Sequence, residues 1–420
     1  MTMIQSGKGF VDLFSPKSDL FTSIEATARD VFAGYGCREL RTPIIEYTEL
    51  FVRGIGDETD VVQKEMYSFP DRKGRSMTLR PEATAGVLRA CIQHKLLRQD
   101  EVLKFFTLGP MFRYERPQMG RQRQFHQINV EILGSASHLV DVDMLFMLHR
   151  FLSEIGLTGL EYQLNSLGCA ACRPTFRAAL DDYLRDVDQS GLCEDCQRRI
   201  TTNPLRVLDC KVPGCKALTT GAPVITDHNC DACRVHFDAV LDLLGRSRLQ
   251  VTLNPLLVRG LDYYQRTTFE VVSTDIGAQS SVAGGGRYDG LVKQLGGPDV
   301  SGIGFACGLE RLAMLAPEQP DPGVDVYIAV HAETLLEKAL EIAQVLRGQR
   351  FSVEFPYAFR SLKSQMRSAN KAGARFALML DEDGAAQCTV AVKDMRDGEQ
   401  YVVSEADLPG NLLNRMAGGA

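Results

Sequence analysis

Residues 112–131 read FRYERPQMGRQRQFHQINVE. Four arginines, Arg113, Arg116, Arg121 and Arg123, stand there with Glu115, Gln127 and Glu131 between apolar runs of strand character. Two strands joined by an arginine-rich loop can turn several guanidinium groups toward a polyphosphate, because the planar fork of arginine matches paired phosphate oxygens. The same stretch also reads as a solvated charged hairpin, and by itself it does not choose.

Three further stretches narrow the choice. LVRGLDYYQRTT, residues 257–268, sets Arg259 and Asp262 beside Tyr263 and Tyr264 in apolar surroundings. A buried arginine needs a carboxylate or an anionic ligand, so Arg259 either pairs with Asp262 or faces a substrate. VAGGGRYDGLVKQLGG, residues 282–297, carries three consecutive glycines. They read as a tight turn or as backbone that approaches a ligand closely. GIGFACGLERL, residues 302–312, predicts a strand running into a helix that carries Arg311. Cys307 occupies the place of the third glycine of a dinucleotide fingerprint, and no Walker loop is present.

Around these stretches the chain has the balance of a globular protein with a real core, 45% hydrophobic and 24% charged. A length of 420 residues suggests two to three domains. No apolar run is long enough for a membrane helix, and the first ten residues lack an export signal. A net charge of −6 gives no bulk attraction for nucleic acid, so any RNA contact must use local basic faces. Twelve cysteines without an export signal fit a reducing, cytoplasmic compartment.

The N-terminal part opens with Phe21, Ile24, Ala28, Val31 and Phe32 at helical spacing, ended by Gly34 and Gly36. A strand-like run follows over residues 39–47 and includes Pro43. Strand signals return at 249–258 and 267–273. Residues 166–248 change texture and read as an inserted helical subdomain holding eight cysteines. Cys169/Cys172, Cys193/Cys196 and Cys230/Cys233 are CxxC pairs, and Cys210/Cys215 is a looser one. Eight thiols suffice for two tetrahedral Cys₄ zinc sites, or they are simply reduced surface cysteines. Cys37, Cys91, Cys307 and Cys388 read as isolated core residues.

Residues 316–323, APEQPDPG, read as a linker. Beyond it, strands at 324–330, 351–356 and 375–381 alternate with helices at 335–347 and 362–372. Two more strand-like runs and a helix near Leu412 complete a small α/β domain over 324–420. Arg360, Lys363, Arg367 and Lys371 fall on one helical side, either an RNA-facing surface or a solvated face.

Taken in this order, the stretches resemble the histidyl-tRNA synthetases, a family of class II aminoacyl-tRNA synthetases. The resemblance runs from KGFVDLF (residues 8–14) to the final domain. RPEATAG (80–86) and the opening stretch look like motif 2, and GLERL looks like motif 3. LVRGLDYY and AGGGRYDGL look like the two histidine-specific signatures, and NPLRVLDCK (203–211) matches the bacterial insertion. The resemblance implies an α+β fold with a six-stranded antiparallel sheet flanked by helices. It divides the chain into a catalytic domain over 1–322, the insertion over 166–248, and an anticodon-binding domain over 324–420. It also implies a homodimer, with the strand around Pro43 at the interface.

The implied reaction activates L-histidine with ATP and transfers it to tRNA(His). Glu82, Thr84 and Gln127 would hold the amino and carboxylate groups of histidine. Glu131 and Tyr264 would read the imidazole, with Tyr263 nearby, and Arg113 and Arg259 would also reach the amino acid. Arg113 would lie on the α-phosphate, Glu115 at the adenine edge and Phe125 on the adenine ring. Arg121 and Arg311 would hold the triphosphate with Mg²⁺, and Arg259 would be the additional catalytic cation. Arg116 and Gln118 would meet the acceptor end of the tRNA. The resemblance requires no zinc. A paralogous fold serves as a histidine-sensing regulatory subunit of an ATP phosphoribosyltransferase. It lacks the terminal domain and typically loses the ATP-binding arginines, whereas Arg113, Arg121, Arg259 and Arg311 are all here. An adenylate-forming enzyme for another acceptor is a second alternative.

Overall fold

In the computed structural model, residues 3–98, 100–210, 212–275, 281–318 and 323–417 are described. Lys211, the last residue of NPLRVLDCK, and 319–322 of the linker lie outside them. The chain divides into two compact units, Met1–Glu318 and Gln319–Ala420.

The first unit begins with helix α1 (Lys17–Gly34). Its Phe21, Ile24, Ala28, Val31 and Phe32 are all buried, and the chain leaves it through Gly36 at φ 77°. Phe32 anchors the main core, its ring 5.4–5.9 Å from those of Phe106, Phe151 and Phe305. The run expected over 39–47 is two strands, β1 (Arg38–Glu39) and β2 (Ile45–Tyr47). Between them the backbone is held by Arg80 instead of by a ladder. The Nη1 of Arg80 donates to Thr42 O at 3.1 Å, its N–H donates to Ile44 O, and Pro43 has no N–H to give. Helix α2 (Thr48–Ile55) leads to β3 (Tyr67–Pro70) and β4 (Ser76–Leu79), which make a small sheet in the order β2-β4-β3.

Helix α3 (Thr84–Gln93) then leads into the long hairpin β5 (Leu103–Phe112) and β6 (Gln124–Leu133). Helix α4 (His138–Glu154) and β7 (Leu160–Ser166) follow. The insertion is helical, as expected: α5 (Arg173–Asp186), α6 (Glu194–Thr202), α7 (Leu205–Leu208), α8 (Pro213–Thr219) and α9 (Asp231–Gly245). Of the strand expected over 249–258, only β8 (Thr252–Leu253) pairs, because the following Asn254-Pro255 turns the chain. Then come β9 (Gln265–Ser273), β10 (Ser281–Arg287), α10 (Leu291–Gln294), β11 (Gly302–Gly308) and α11 (Leu309–Leu315).

The main sheet has the order β1-β5-β6-β11-β10-β9-β7-β8. Its six inner strands are antiparallel, as the resemblance implied. The two-residue edge strands β1 and β8, too short to read from a pattern, join in parallel and make eight. Gly284 to Gly286 are not a turn but part of β10, paired with β9 and β11. Cys37, Cys91 and Cys307 are buried, but Cys388 is exposed in a turn, at φ 52°.

The second unit is α/β. Strands β12 (Val326–Val330), β13 (Val353–Glu354) and β14 (Phe376–Leu380) run parallel, separated by α12 (Leu336–Gly348) and α13 (Leu362–Lys371). The short helix α14 (Glu382–Ala386), antiparallel β15 (Thr389–Asp394) and β16 (Gln400–Ser404), and α15 (Leu408–Ala417) complete it. Arg360, Lys363, Arg367 and Lys371 are all exposed, while Gln365 and Ala369 on the other side of α13 are buried. No described helix is long and apolar enough to cross a membrane.

Candidate active site

Strand alternation builds the floor of a cavity of about 500 Å³. Side chains two residues apart share one face of a strand, so Phe125, Gln127, Asn129 and Glu131 of β6 all reach it. Beside them, Gly304 of β11 pairs with Glu131. A Cβ on Gly304 would lie inside the Glu131 carboxylate, so the neighbouring strand must be bare there.

Glu131 is 1% exposed and is fixed from two sides. Thr84 Oγ1 donates to its Oε1 at 2.5 Å, and the Tyr288 phenol donates to its Oε2. Burial pushes this carboxyl up to about 8, with the nearby Glu82 adding to the rise and the two hydroxyls opposing it. Glu82 closes the start of α3, accepting from the N–H groups of Thr84 at 3.0 Å and Ala85 at 2.7 Å. Burial raises its carboxyl also, against those hydrogen bonds. Tyr263 donates its phenol to Glu82 at 3.4 Å and packs its ring 4.7 Å from that of Tyr264.

The same cleft is lined by cations. Arg259 donates to Glu270 Oε1 at 2.8 Å, not to Asp262, which instead accepts from Asn203 at 2.9 Å. Burial works against the Arg259 charge, but the Glu270 carboxylate outweighs it and the guanidinium is held above its ordinary value. A Cβ on Gly284 would lie inside that guanidinium, and one on Gly285 would strike Gly304 O. The glycines of β10 therefore give Arg259 its space within a continuous sheet. Arg113 donates to Pro81 O at 2.9 Å and lies 5.5 Å from the Phe125 ring centre. Arg121 pairs with Glu115 at 2.8 Å. Arg311 donates to Gly120 O at 3.1 Å and Ser281 O at 2.5 Å, and burial, then the charge of Arg121, lowers its pKa.

One cleft thus gathers Glu82, Thr84, Gln127, Glu131, Tyr263 and Tyr264 with Arg113, Glu115, Arg121, Phe125, Arg259 and Arg311. Arg116 and Gln118 lie outside its lining, exposed on the β5–β6 loop. Among the described residues, the buried Gln127 Oε1, Asn129 Oδ1 and Arg259 Nε have no hydrogen-bond partner. Unsatisfied buried polar atoms are costly, and their concentration in one cleft marks it as built for a polar ligand. Sequence reading missed Tyr288, Asn129 and Glu270. The phenol bonded to Glu131 is that of Tyr288, which stands in the quoted glycine stretch. Asn129 was legible from the alternation of β6, whereas nothing local marks Glu270.

The insertion also reaches the cleft, through Arg199, Arg206, Asp209 and Cys210. Its eight cysteines form two groups, Cys169/Cys172/Cys230/Cys233 and Cys193/Cys196/Cys210/Cys215. In each group all four sulfurs lie within 4.8 Å of one another.

Comparison with known proteins supplies a second line of argument. The family model described as histidyl-tRNA synthetase matches residues 9–312, and one described as anticodon binding domain matches 325–415. The histidine–tRNA ligase of Nitratidesulfovibrio vulgaris (strain DP4) is 58% identical over 413 residues, covering 98% of this chain and 99% of that one. The apo histidyl-tRNA synthetase of S. aureus superposes with a TM-score of 0.81 at 32% identity, covering 98% of this chain and 100% of that one. A Bacillus halodurans protein described as an ATP phosphoribosyltransferase regulatory subunit/histidyl-tRNA synthetase gives 0.64 at 16% identity, over 88% of this chain and 97% of that one. That likeness is one of fold alone.

Proposed function

This chain belongs to the histidyl-tRNA synthetase family, and on that premise we infer that the cleft activates L-histidine with ATP and transfers it to tRNA(His). The activity is that of a histidine–tRNA ligase, releasing pyrophosphate in the first step and AMP in the second. The observation that carries the reading is the polarity of the cleft. A buried carboxyl held by two hydroxyls shares one cleft with four arginines, Arg113, Arg121, Arg259 and Arg311.

Glu131 and Tyr288, with Tyr264 and Tyr263 packed beside them, read the imidazole. An amino acid lacking ring nitrogens would leave those buried groups unpaired, a mismatch that can be worth ~10⁴ in selectivity. Glu82, Thr84 and Gln127 hold the amino and carboxylate groups. The histidine carboxylate attacks the α-phosphorus of ATP, forming the adenylate and expelling pyrophosphate. Arg113 and Arg259 stabilise charge gathering on the phosphoryl oxygens, and Arg121 and Arg311 hold the departing phosphates. Glu115 faces the adenine edge and Phe125 the ring. In the second step a terminal ribose hydroxyl of the tRNA attacks the aminoacyl carbonyl, and AMP leaves.

Glu270 brings carboxylate oxygens into the same cleft as the arginines, donors suited to Mg²⁺ carried in on the phosphates. The ion would neutralise the polyphosphate. Arg116 and Gln118 are exposed where an acceptor end can meet them, and Arg360, Lys363, Arg367 and Lys371 offer the second unit's RNA face. The domain roles follow: catalysis over 1–322, the insertion over 166–248, and anticodon binding over 324–420. Homodimer formation is supported by Ile44, Ile45, Tyr47 and Phe69, all exposed on or beside the small sheet near Pro43. A cytoplasmic location suits twelve reduced cysteines. The two cysteine groups are read as structural Zn²⁺ sites.

The test is ATP–pyrophosphate exchange assayed with each amino acid in turn, followed by tRNA charging. Exchange dependent on histidine and Mg²⁺ is expected. Exchange with a different amino acid, or charging of no tRNA, would overturn the proposal.

A further inference from the structure

We propose that a zinc ion held by Cys193, Cys196, Cys210 and Cys215 builds one wall of the catalytic cleft, so that metal loading of the insertion controls adenylate formation. The inference rests on the synthetase reading and adds a control element to that same site.

Cys193 Sγ lies 3.8 Å from Cys210 Sγ, and in the other group Cys169 Sγ lies 3.7 Å from Cys172 Sγ and 3.9 Å from Cys230 Sγ. These separations are far too long for disulfides. A tetrahedron with Zn–S bonds of ~2.3 Å has edges of ~3.8 Å, the spacing found here. The groups also share a second feature. The N–H of Cys193 donates to Cys215 Sγ at 3.2 Å, and the N–H of Cys230 donates to Cys172 Sγ at 3.1 Å. Such bonds orient the sulfurs that would ligate the ion.

The two groups differ in position. Cys169 and Cys172 follow β7 and Cys230 and Cys233 precede or begin α9, so that group ties the entry of the insertion to its exit. The other group sits in the arm itself. Cys210 lines the cleft, and next to it Asp209 lies opposite Arg206 at 3.6 Å, both also lining it. Cys193 caps α6, whose Arg199 pairs with Asp60 of the catalytic core at 2.5 Å. Asn203, closing α6, donates to Asp262 in the segment that carries Arg259, Tyr263 and Tyr264. The arm between Cys193 and Cys215 buries Val207 and Leu208, with Ile200 and Leu205 partly buried against the same core, and a short segment with so few anchors is fixed more firmly by a further constraint. Four thiolates on one ion supply it.

The experiment uses the full-length chain purified without chelator. Elemental analysis should find two zinc ions per chain, one for each cysteine group. Cys215→Ser, which does not line the cleft, should lose one zinc, raise the KM for histidine and slow histidine-dependent exchange by about 100-fold, the scale of an ångström-level displacement of a catalytic wall. Zinc-free wild-type protein with normal exchange, or Cys215→Ser with wild-type KM and rate, would overturn the proposal. Should the variant fail to fold, cobalt-substituted wild-type protein decides. Its thiolate-to-cobalt absorption should shift when histidine and ATP enter the cleft beside Cys210, and an unchanged spectrum with ligand bound overturns the coupling. Wild-type protein that binds two zinc ions but lacks histidine-dependent exchange would instead overturn the synthetase reading.

Discussion

The guanidinium of Arg259 fills the space in which Gly284 would carry a side chain. A strand residue and an arginine from a separate loop thus share one volume, and the arginine reaches the cleft only because the strand is bare. Gly284→Ala should therefore displace Arg259 without removing it. We expect exchange to slow by about 100-fold, with a small change in thermal stability. Arg259→Ala should cost on the order of 10²–10³ in rate, and adding Gly284→Ala to it should cost little more. Steady-state exchange kinetics on the two single variants and the double variant check this, and additive losses would show that the glycine acts elsewhere.

Glu131 makes stability depend on pH. Its carboxyl titrates near 8 in the folded chain against 4.5 in the ordinary case. Between those values the folded form keeps a proton that the unfolded form has released. Its contribution is thus fully present below the unfolded value and is lost as pH rises through the folded one. Relative to Glu131→Gln, the wild type should lose on the order of a few kcal/mol between about pH 5 and about pH 9. Denaturant melts of both proteins across that range measure the difference, and parallel pH profiles would refute it.

Asp141 and Arg287 form a fully buried pair, Nε to Oδ1 at 2.7 Å. The other carboxylate oxygen of Asp141 accepts from Thr267 at 2.6 Å and meets His236 Nε2 at 2.7 Å. One carboxylate thereby joins α4, α9, β9 and β10. Asp141→Ala leaves the Arg287 charge without its principal partner and should destabilise the catalytic unit by about 3–5 kcal/mol. Urea unfolding of the variant measures the loss.

The two compact units predict a division of labour. Every cleft residue precedes Leu312, and the second unit has its own buried core around Val326, Ile328, Phe376 and Leu378. A chain ending at Glu318 should retain histidine-dependent exchange. Its tRNA charging should fall much further, because a second RNA contact raises the effective concentration at the active site. Parallel exchange and charging assays on a folded fragment decide the matter, equal losses counting against an RNA-binding role.

The family, the helical insertion, the α/β pattern of the last hundred residues or so and twelve of the residues that line the cleft could be read from residue order alone. These were legible because each rests on local order: the period of α1, the spacing of CxxC, and ordered signatures around Arg113, Arg259 and Arg311. Which distant groups meet emerges from the folded chain. It pairs Arg259 with Glu270 rather than Asp262, gives Glu131 the phenol of Tyr288, lays the three glycines in a strand, and sorts eight cysteines into two sets of four. Each outcome depends on strand register and on what a neighbouring element leaves empty. A hydrogen bond or a shared volume is fixed by ångström-scale distances between segments far apart in the chain, and such distances leave no mark on residue spacing.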